Sequence, residues 1–444
     1  MDVIGSNRAE STKVVAVVIP SDIVARKFVN SGALNVLERQ TRVVFLASRD
    51  VTVALPGESV VVDLKFMESA FARRLDLLFW YHSFYVYLKR NGLEYRNTIK
   101  ALSMKLMVRR LHEVLSMPIL SLVVDKLDEW YFAQDENARA ALATIKPDLL
   151  VTAGSALDSY SHIVLKTASK LKIPTLMVIS HWDYFSKKGL LRFKPDKVYV
   201  WGDDMKNSAI KFNEVSEADV MVVGAPQFQK YLAGMPEKNA AKDELGLDAE
   251  KNWLLFPGSG IPYDELSVLK RLSELLVRSN RSDIGIIYRP HPRAWARKTK
   301  EKINLEDLKN VVIDKPQQGE GQSEAHYQKL ISASEGIVSP YSTMILEGAL
   351  CGLPALCVCF SDNLNIWDFA QAEAQEHIWP LLERDWVFSC SRSEDLEVVF
   401  LKFLEKIFDP QFRVAVRGQV RSTVYFDENT FAERLYEHIE RDFL

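Results

Sequence analysis

A chain of 444 residues with a formal net charge of −3 lacks the broad basic field that nucleic-acid binding requires, and its 48% hydrophobic and 26% charged content is that of an ordinary globular protein of two or three domains. No apolar run approaches the roughly 18–20 residues that span a bilayer, and Met1 to Lys13 places Asp2, Arg8 and Glu10 ahead of only a short apolar run, which argues against a signal peptide. The four cysteines, Cys351, Cys357, Cys359 and Cys390, form no C-x-x-C or zinc-spaced array, so reduced structural thiols in a cytoplasmic protein are expected.

Taken in order, Val14 to Pro20 is a continuous apolar strand, and Val43 to Ala47 and Val60 to Val62 add two more. Such β-branched runs, separated by helical stretches, predict a parallel sheet covered on both faces. Pro20-Ser21-Asp22 follows the first strand, where open α/β sheets place ligand-contacting residues. From about 66 to 139 the pattern is helical, an insert in the strand rhythm. Within it, Leu77 to His112 carries Lys89, Arg90, Arg96, Lys100, Lys105, Arg109 and Arg110 against one acid, Glu94. Phe79, Trp80, Tyr81, Phe84, Tyr85 and Tyr87 are interleaved. The stretch reads either as a solvated basic face over an aromatic core side, or as a face for anionic lipid or a negatively charged acceptor.

The strands then resume. Pro147 to Gly154 runs into a glycine turn, Ser161 to Lys172 is helical, and Pro174 to Ile179 ends in Ser180-His181-Trp182-Asp183. Lys197 to Gly202 and Val220 to Pro226 complete this half. Charges, Gly234, Pro236 and Gly246, with few apolar anchors, mark 233–251 as a linker. The second half repeats the rhythm. Trp253 to Phe256 leads into Pro257-Gly258-Ser259-Gly260, a helix follows from Asp264 to Val277, and Ile284 to Tyr288 leads into Arg289-Pro290-His291-Pro292. Val311 to Ile313 is a short strand. Glu335 to Val338 ends at Ser339, and Ser342 or Thr343 then caps a helix that Cys351-Gly352-Leu353-Pro354 closes. Ala355 to Cys359 is a strand, the chain beyond Asp395 is helical, and the last helix spans about Thr430 to Phe443.

The chemistry concentrates at strand ends. Gly258, Ser259 and Gly260 offer backbone N–H groups to an anion, although most such turns are only turns. Arg289 and His291 put a cation and an imidazole at one strand end, stiffened by Pro290 and Pro292. Ser339, Ser342 and Thr343 add hydroxyls at a helix start, a favoured place for phosphate, though the same hydroxyls suit a plain helix cap. Glu347 one turn in either binds ribose hydroxyls or is solvated. In the first half Asp22, Asp158, His181 and Asp183 are candidate bases for an acceptor hydroxyl, with turn formation as the competing role.

The Tyr288-Arg289-Pro290-His291-Pro292 loop and the Ser339-Pro340-Tyr341-Ser342-Thr343-Met344 turn resemble the HP and S/T motifs of bacterial GT-B transferases. That group includes capsule and lipopolysaccharide Kdo- or sialyltransferases and CDP-glycerol glycerophosphotransferases. Ser180-His181-Trp182-Asp183, Lys188-Gly189 and Val223-Gly224-Ala225-Pro226-Gln227-Phe228 resemble the same broad group, so the likeness covers roughly Pro147 to Phe360. It implies an α/β GT-B architecture: two doubly wound Rossmann-like domains facing a cleft. Residues 1–232 would form the acceptor-binding domain with the helical insert, 252–422 the nucleotide-donor domain, and 423–444 a helix packing back on the first. It further implies that His291, Ser342 and Thr343 hold the donor phosphate, with Ser339 nearby and Arg289 adding charge.

The activity so implied is transfer of a sugar from CMP or another nucleotide to a surface glycan of capsule, lipopolysaccharide or O-antigen. The donor is a nucleotide-sugar and the acceptor a glycan or lipid-linked glycan, with peripheral contact at the inner face of the cytoplasmic membrane through 77–112. The alternatives are a CDP-alcohol phosphotransferase, a UDP-sugar 2-epimerase, whose motifs are not recognised in the chain, and a non-enzymatic sugar-nucleotide-binding protein. No cofactor is implied, and because no two aspartates are separated by one residue, no metal clamp is expected either.

Overall fold

The computed structural model describes residues 12–91, 106–154, 158–187, 190–259, 264–291, 308, 310–315, 324–360, 369 and 375–444. These fall into two compact units: residues up to Gln227 together with Tyr425–Leu444, and residues from Phe228 to Val424.

The first unit is built on a seven-stranded parallel sheet of β1 (Val14–Ile19), β2 (Arg42–Ala47), β3 (Glu58–Val61), β4 (Leu149–Gly154), β5 (Thr175–Ile179), β6 (Lys197–Val200) and β7 (Val220–Val222), in the order β3-β2-β1-β4-β5-β6-β7. The second holds a six-stranded parallel sheet of β8 (Asn252–Pro257), β9 (Ile284–Arg289), β10 (Val311–Ile313), β11 (Ser334–Ser339), β12 (Ala355–Val358) and β13 (Val387–Cys390), in the order β10-β9-β8-β11-β12-β13. Both sheets are doubly wound, with the order reversing beside the first strand of each. β1, β5 and β8 are buried almost throughout, which is why they read as near-continuous apolar runs rather than alternating ones.

Helices cover these sheets. Those used below are α1 (Asp22–Phe28), α2 (Ala70–Asn91), α3 (Leu106–Leu115), α4 (Pro118–Phe132), α5 (Ser159–Lys170), α6 (Glu265–Arg278) and α7 (Thr343–Leu350). The terminal helix Phe431–Phe443 belongs to the first unit. Its Phe431, Leu435 and Ile439 pack into the same core as Val15, Val17, Phe45 and Val151. Thr430 and Glu433 form a capping box at its start. Gly224, with φ +88°, lets the chain after β7 meet this segment: a Cβ there would lie 2.5 Å from the Tyr425 carbonyl oxygen. Arg434 Nε donates to the Val223 carbonyl at 3.0 Å beside it.

The helical insert between β3 and β4 is fastened by buried charges. Asp128 on α4 lies 2.7 Å from Lys166 Nζ on α5 and accepts from Arg192 Nη2 at 2.8 Å and Nε at 3.1 Å. Arg192 Nη1 donates to Asp76 on α2 at 2.5 Å, and Asp76 also accepts from Ser159. Burial pushes the Lys166 ammonium down to about 8. The aromatic side of the insert is core: Phe79, Phe84 and Tyr87 are buried. Of the cations expected on a solvated face, Lys89 donates to Ser116 at 3.3 Å and Arg90 pairs with Glu214 at 2.9 Å. Arg96, Lys100 and Lys105 lie outside the described residues.

Residues 233–251 are folded rather than a bare linker. They hold the helix Lys238–Glu244, capped by Glu237, and buried Lys242 donates to the carbonyls of Ala249 and Lys251. The charges that suggested a linker serve as caps and as anchors. All four cysteines are free thiols; three are buried, and burial raises Cys351 and Cys390 to about 12 and about 11. Among the described residues, no helix is long and apolar enough to cross a membrane.

Candidate functional site

In the second sheet β9, β8 and β11 are neighbours, and the order reverses between β8 and β11. With about 4.8 Å between adjacent strands, the carboxyl ends of β9 and β11 are roughly 10 Å apart, with β8 between them. The three loops singled out from sequence therefore leave one sheet edge together, at the crevice where doubly wound sheets bind ligands.

The loop after β8 is held by the protein itself. Gly258 donates to the Arg289 carbonyl at 2.7 Å, and Ser259 donates its backbone N–H to Glu265 Oε1 at 2.7 Å. This corrects the expectation that Gly258 and Ser259 offer these groups to an anion; Gly260 lies outside the described residues. Glu265, buried at the start of α6, also accepts from the Tyr288 hydroxyl at 2.7 Å and so ties the ends of β8 and β9 together. Sequence reading missed it, because an acid after the Asp264 cap looks like ordinary first-turn charge. Gly258 has no room for a side chain: a Cβ would lie 2.5 Å from His291 N and 3.0 Å from Pro290 Cα. Gly258→Ala must push the β9 loop away, and denaturant melts are expected to show a loss of about 1–3 kcal/mol in the second unit.

Arg289 closes β9 and is only 4% exposed. Its Nη1 donates to Asp314, its guanidinium lies 4.7 Å from the Tyr327 ring centroid, and its Nη2 has no partner among the described residues. Asp314, just beyond β10, also lies 2.9 Å from His326 Nε2. Burial alone would raise the Asp314 carboxyl, but His326 and Arg289 hold it below its usual range. The acid therefore stays ionised and fixes the guanidinium. Asp314 and His326 were not singled out from sequence, since Asp314 follows a three-residue strand and His326 lies in the helix Glu324–Ser332. His291 sits two residues past Arg289, half-buried; Pro292 lies outside the described residues.

At the end of β11, Ser339 is fully buried and its Oγ has no partner among the described residues. Ser342 is the N-cap of α7, its Oγ accepting from the Met344 N–H at 3.3 Å, and Thr343 is the first helical residue. Glu347 accepts a hydrogen bond from Tyr231, so this carboxylate is oriented from the helix Gln229–Ala233.

In the first unit Asp22 opens α1 directly after β1. Its carboxylate accepts from Thr52 Oγ1 at 2.6 Å and from the N–H groups of Thr52 and Val53 at 2.7 and 3.1 Å. The Thr52 bonds hold it below the usual carboxylate range. It pins the loop after β2 and is a weak proton acceptor. His181 and Asp183 follow β5, both half-buried. Asp158 caps α5 beyond β4, accepting from Ser161, and burial raises it to about 6 against those bonds. Among the described residues, no cluster of three or more His, Cys, Asp or Glu is placed to hold a metal ion.

No protein-family model and no curated protein matches the chain. Solved structures do. The UDP-GlcNAc 2-epimerase of Methanocaldococcus jannaschii is 12% identical, with a TM-score of 0.57 over 96% of this chain and 99% of that one. The UDP-GlcNAc 2-epimerase of Neisseria meningitidis bound to UDP-GlcNAc is 13% identical, with a TM-score of 0.53 over 97% and 100%. A glycosyltransferase from Rickettsia africae is 12% identical, with a TM-score of 0.52 over 97% and 98%. The fold is GT-B. Within this GT-B chain, the buried donors Arg289 Nη2 and Ser339 Oγ belong to the second unit, and the carboxylate with near-neutral titration, Asp158, to the first.

Proposed function

We propose that the chain is a nucleotide-sugar enzyme and that the ends of β9, β8 and β11 hold the phosphates of the activated sugar. The observation that carries this reading is the pair of buried donors, Arg289 Nη2 and Ser339 Oγ, that lack partners among the described residues on the two strands flanking β8. A buried donor left unmade costs about 1–3 kcal/mol. A phosphate between them would satisfy both, and a guanidinium already fixed by Asp314 is suited to it. The start of α7 adds its dipole, with Ser342 and Thr343 at the rim. His291 then meets the phosphate oxygen that gains charge as the sugar departs.

Two reactions use such a cradle. Epimerisation at C2 of a nucleotide-bound N-acetylglucosamine is supported by likeness over nearly the whole length to proteins named for that activity. Transfer of the sugar to a surface glycan, or to a lipid-linked one, is the second reading. It is favoured by the Arg289-to-Pro292 and Ser339-to-Thr343 motifs and by likeness to a glycosyltransferase. They differ in the proton that a base removes: one on the sugar carbon, or that of the acceptor hydroxyl. His181 and Asp183 after β5, and Asp158 after β4, are the groups in this proposal.

Thermal shifts against CMP, CDP, UDP and GDP test the cradle. At 100-fold excess over Kd a nucleotide stabilises by about 2.7 kcal/mol, so at least one is expected to raise Tm by several degrees in wild type and not in Arg289→Met. No shift with any of them would reject the reading. Incubation with UDP-GlcNAc, followed by NMR, separates the reactions. A 2-epimer formed without acceptor assigns epimerisation, whereas turnover only with a glycan acceptor assigns transfer.

A further inference from the structure

We propose that the helical hairpin α3–α4 is an in-plane docking element for the surface of an anionic lipid bilayer. Its amphipathic pattern is inverted. The face of α4 turned to the protein carries Ser121, Val124, Asp128 and Phe132, and the face turned to solvent carries Ile119, Leu122, Val123, Leu127 and Trp130. At 100° per residue these two sets lie on opposite sides of the helix. α3 and the turn after it follow the same rule: His112 and Ser116 are buried while Leu111, Val114 and Met117 are exposed. Ile119 is 78% exposed, Leu122 65% and Trp130 59%.

The polar residues are inside because they have work there. Asp128 anchors Lys166 and Arg192, and Ser121 Oγ lies 3.3 Å from His82 Nε2. Among the described residues, nothing covers the apolar set outside. An isolated surface Leu needs no explanation, but a stripe along a whole helix, continued onto its neighbour, marks an interaction face. Its length, about 22 Å, is too short to cross a bilayer and suits a helix lying in the interface.

Charge selects the occupant. The sequence entering the hairpin, residues 96–110, contains Arg96, Lys100, Lys105, Arg109 and Arg110 and no acid. Lys126, with its side chain 80% exposed, lies within the apolar stripe and has the stem to snorkel. Asp125, 4.0 Å from His82, and Glu129, which pairs with Lys126 at 3.4 Å, lie between the apolar stripe and the buried face, with side chains 63% and 47% exposed. Glu113 is on α3. Trp130 ends the stripe as an amphipathic ring of the kind that sits at headgroup depth. The exposed cations Arg110 and Lys126, the apolar stripe and the terminal Trp together match anionic lipid.

The test uses the full chain and vesicles of phosphatidylcholine and phosphatidylglycerol in equal parts. Wild type is expected to co-sediment at low salt, and less so with phosphatidylcholine alone. Ile119→Ser, Leu122→Ser and Val123→Ser combined are expected to lower the partition coefficient about a hundredfold. Arg110→Glu with Lys126→Glu is expected to lower it about tenfold, only on anionic vesicles at low salt. These side chains are exposed, so circular-dichroism melts should match wild type. Wild type left in the supernatant, or a triple variant that sediments like wild type, overturns the proposal. So does a wild-type dimer, seen by light scattering, that the triple variant converts to monomer, since the face would then belong to a second copy.

Discussion

Asp128→Ala is expected to lower the unfolding free energy of the first unit by about 3–5 kcal/mol, the range for removing one partner of a buried ion pair. The Lys166 and Arg192 side chains are at most 4% exposed, and Asp128 is the acid they share. Without it, two buried cations face each other, and among the described residues only Arg192 keeps a paired acid, Asp76. Asp128→Asn retains an acceptor oxygen and should lose less. Urea denaturation followed by circular dichroism measures both, and an Asp128→Ala loss below about 1 kcal/mol would show that water reaches the network.

The pH dependence has a definite sign. Burial by itself raises the Asp128 carboxyl, but the Lys166 and Arg192 charges outweigh it and hold the group below its ordinary value. Its contribution is therefore complete above the unfolded value of about 3.9 and is lost as the pH falls through the folded one. Lys166 gives the same sign of slope at higher pH. Burial sets it at about 8, so between that pH and the unfolded value of about 10.4 the unfolded chain binds the extra proton and stability rises with pH. Asp128→Ala should remove Asp128's share of the acid limb and leave that of the other depressed carboxylates.

His291→Ala is expected to cut kcat by roughly 10²–10³-fold, on the order of 3–4 kcal/mol, with a smaller change in substrate KM. This rests on the proposed phosphate cradle. A donor aimed at the departing phosphate strengthens its bond as charge accumulates, so its loss appears in the transition state more than in binding. His291 is half-buried at the end of β9, two residues from buried Arg289, so its removal should leave the melt almost unchanged. Ser342→Ala should cost less catalytically, and should also weaken the α7 cap by about 1 kcal/mol, because its Oγ accepts from Met344. Steady-state kinetics with matched melts separates these effects. An unchanged kcat in His291→Ala would remove the imidazole from the chemistry.

Much of the fold was written in local sequence. Runs such as Val14 to Ile19 and Trp253 to Phe256 are apolar without alternation because strands inside a parallel sheet are covered on both faces. The Gly258, Arg289, Ser339 and Ser342 loops were recognisable because each follows such a strand, and a doubly wound sheet brings those ends to one edge. The capping Ser342, Asp158 and Thr430 act within one helical turn, so they too were within reach of sequence.

Other features depend on partners distant along the chain, which no local pattern encodes. The Gly258 and Ser259 N–H groups looked available until Arg289 and Glu265 took them. Arg289 read as a cation at a strand end, yet Asp314, itself held by His326, fixes it, and Nη2 is left without a partner among the described residues. Asp22 read as a base until the Thr52 loop occupied its oxygens. The insert looked like a basic outer face over aromatics. Only packing showed that Asp128 turns inward to Lys166 and Arg192, and that Ile119, Leu122 and Trp130 are thereby turned out. Spacing determines which residues share a helix face; which face is buried is decided by the charges and apolar surfaces that the rest of the chain brings against it.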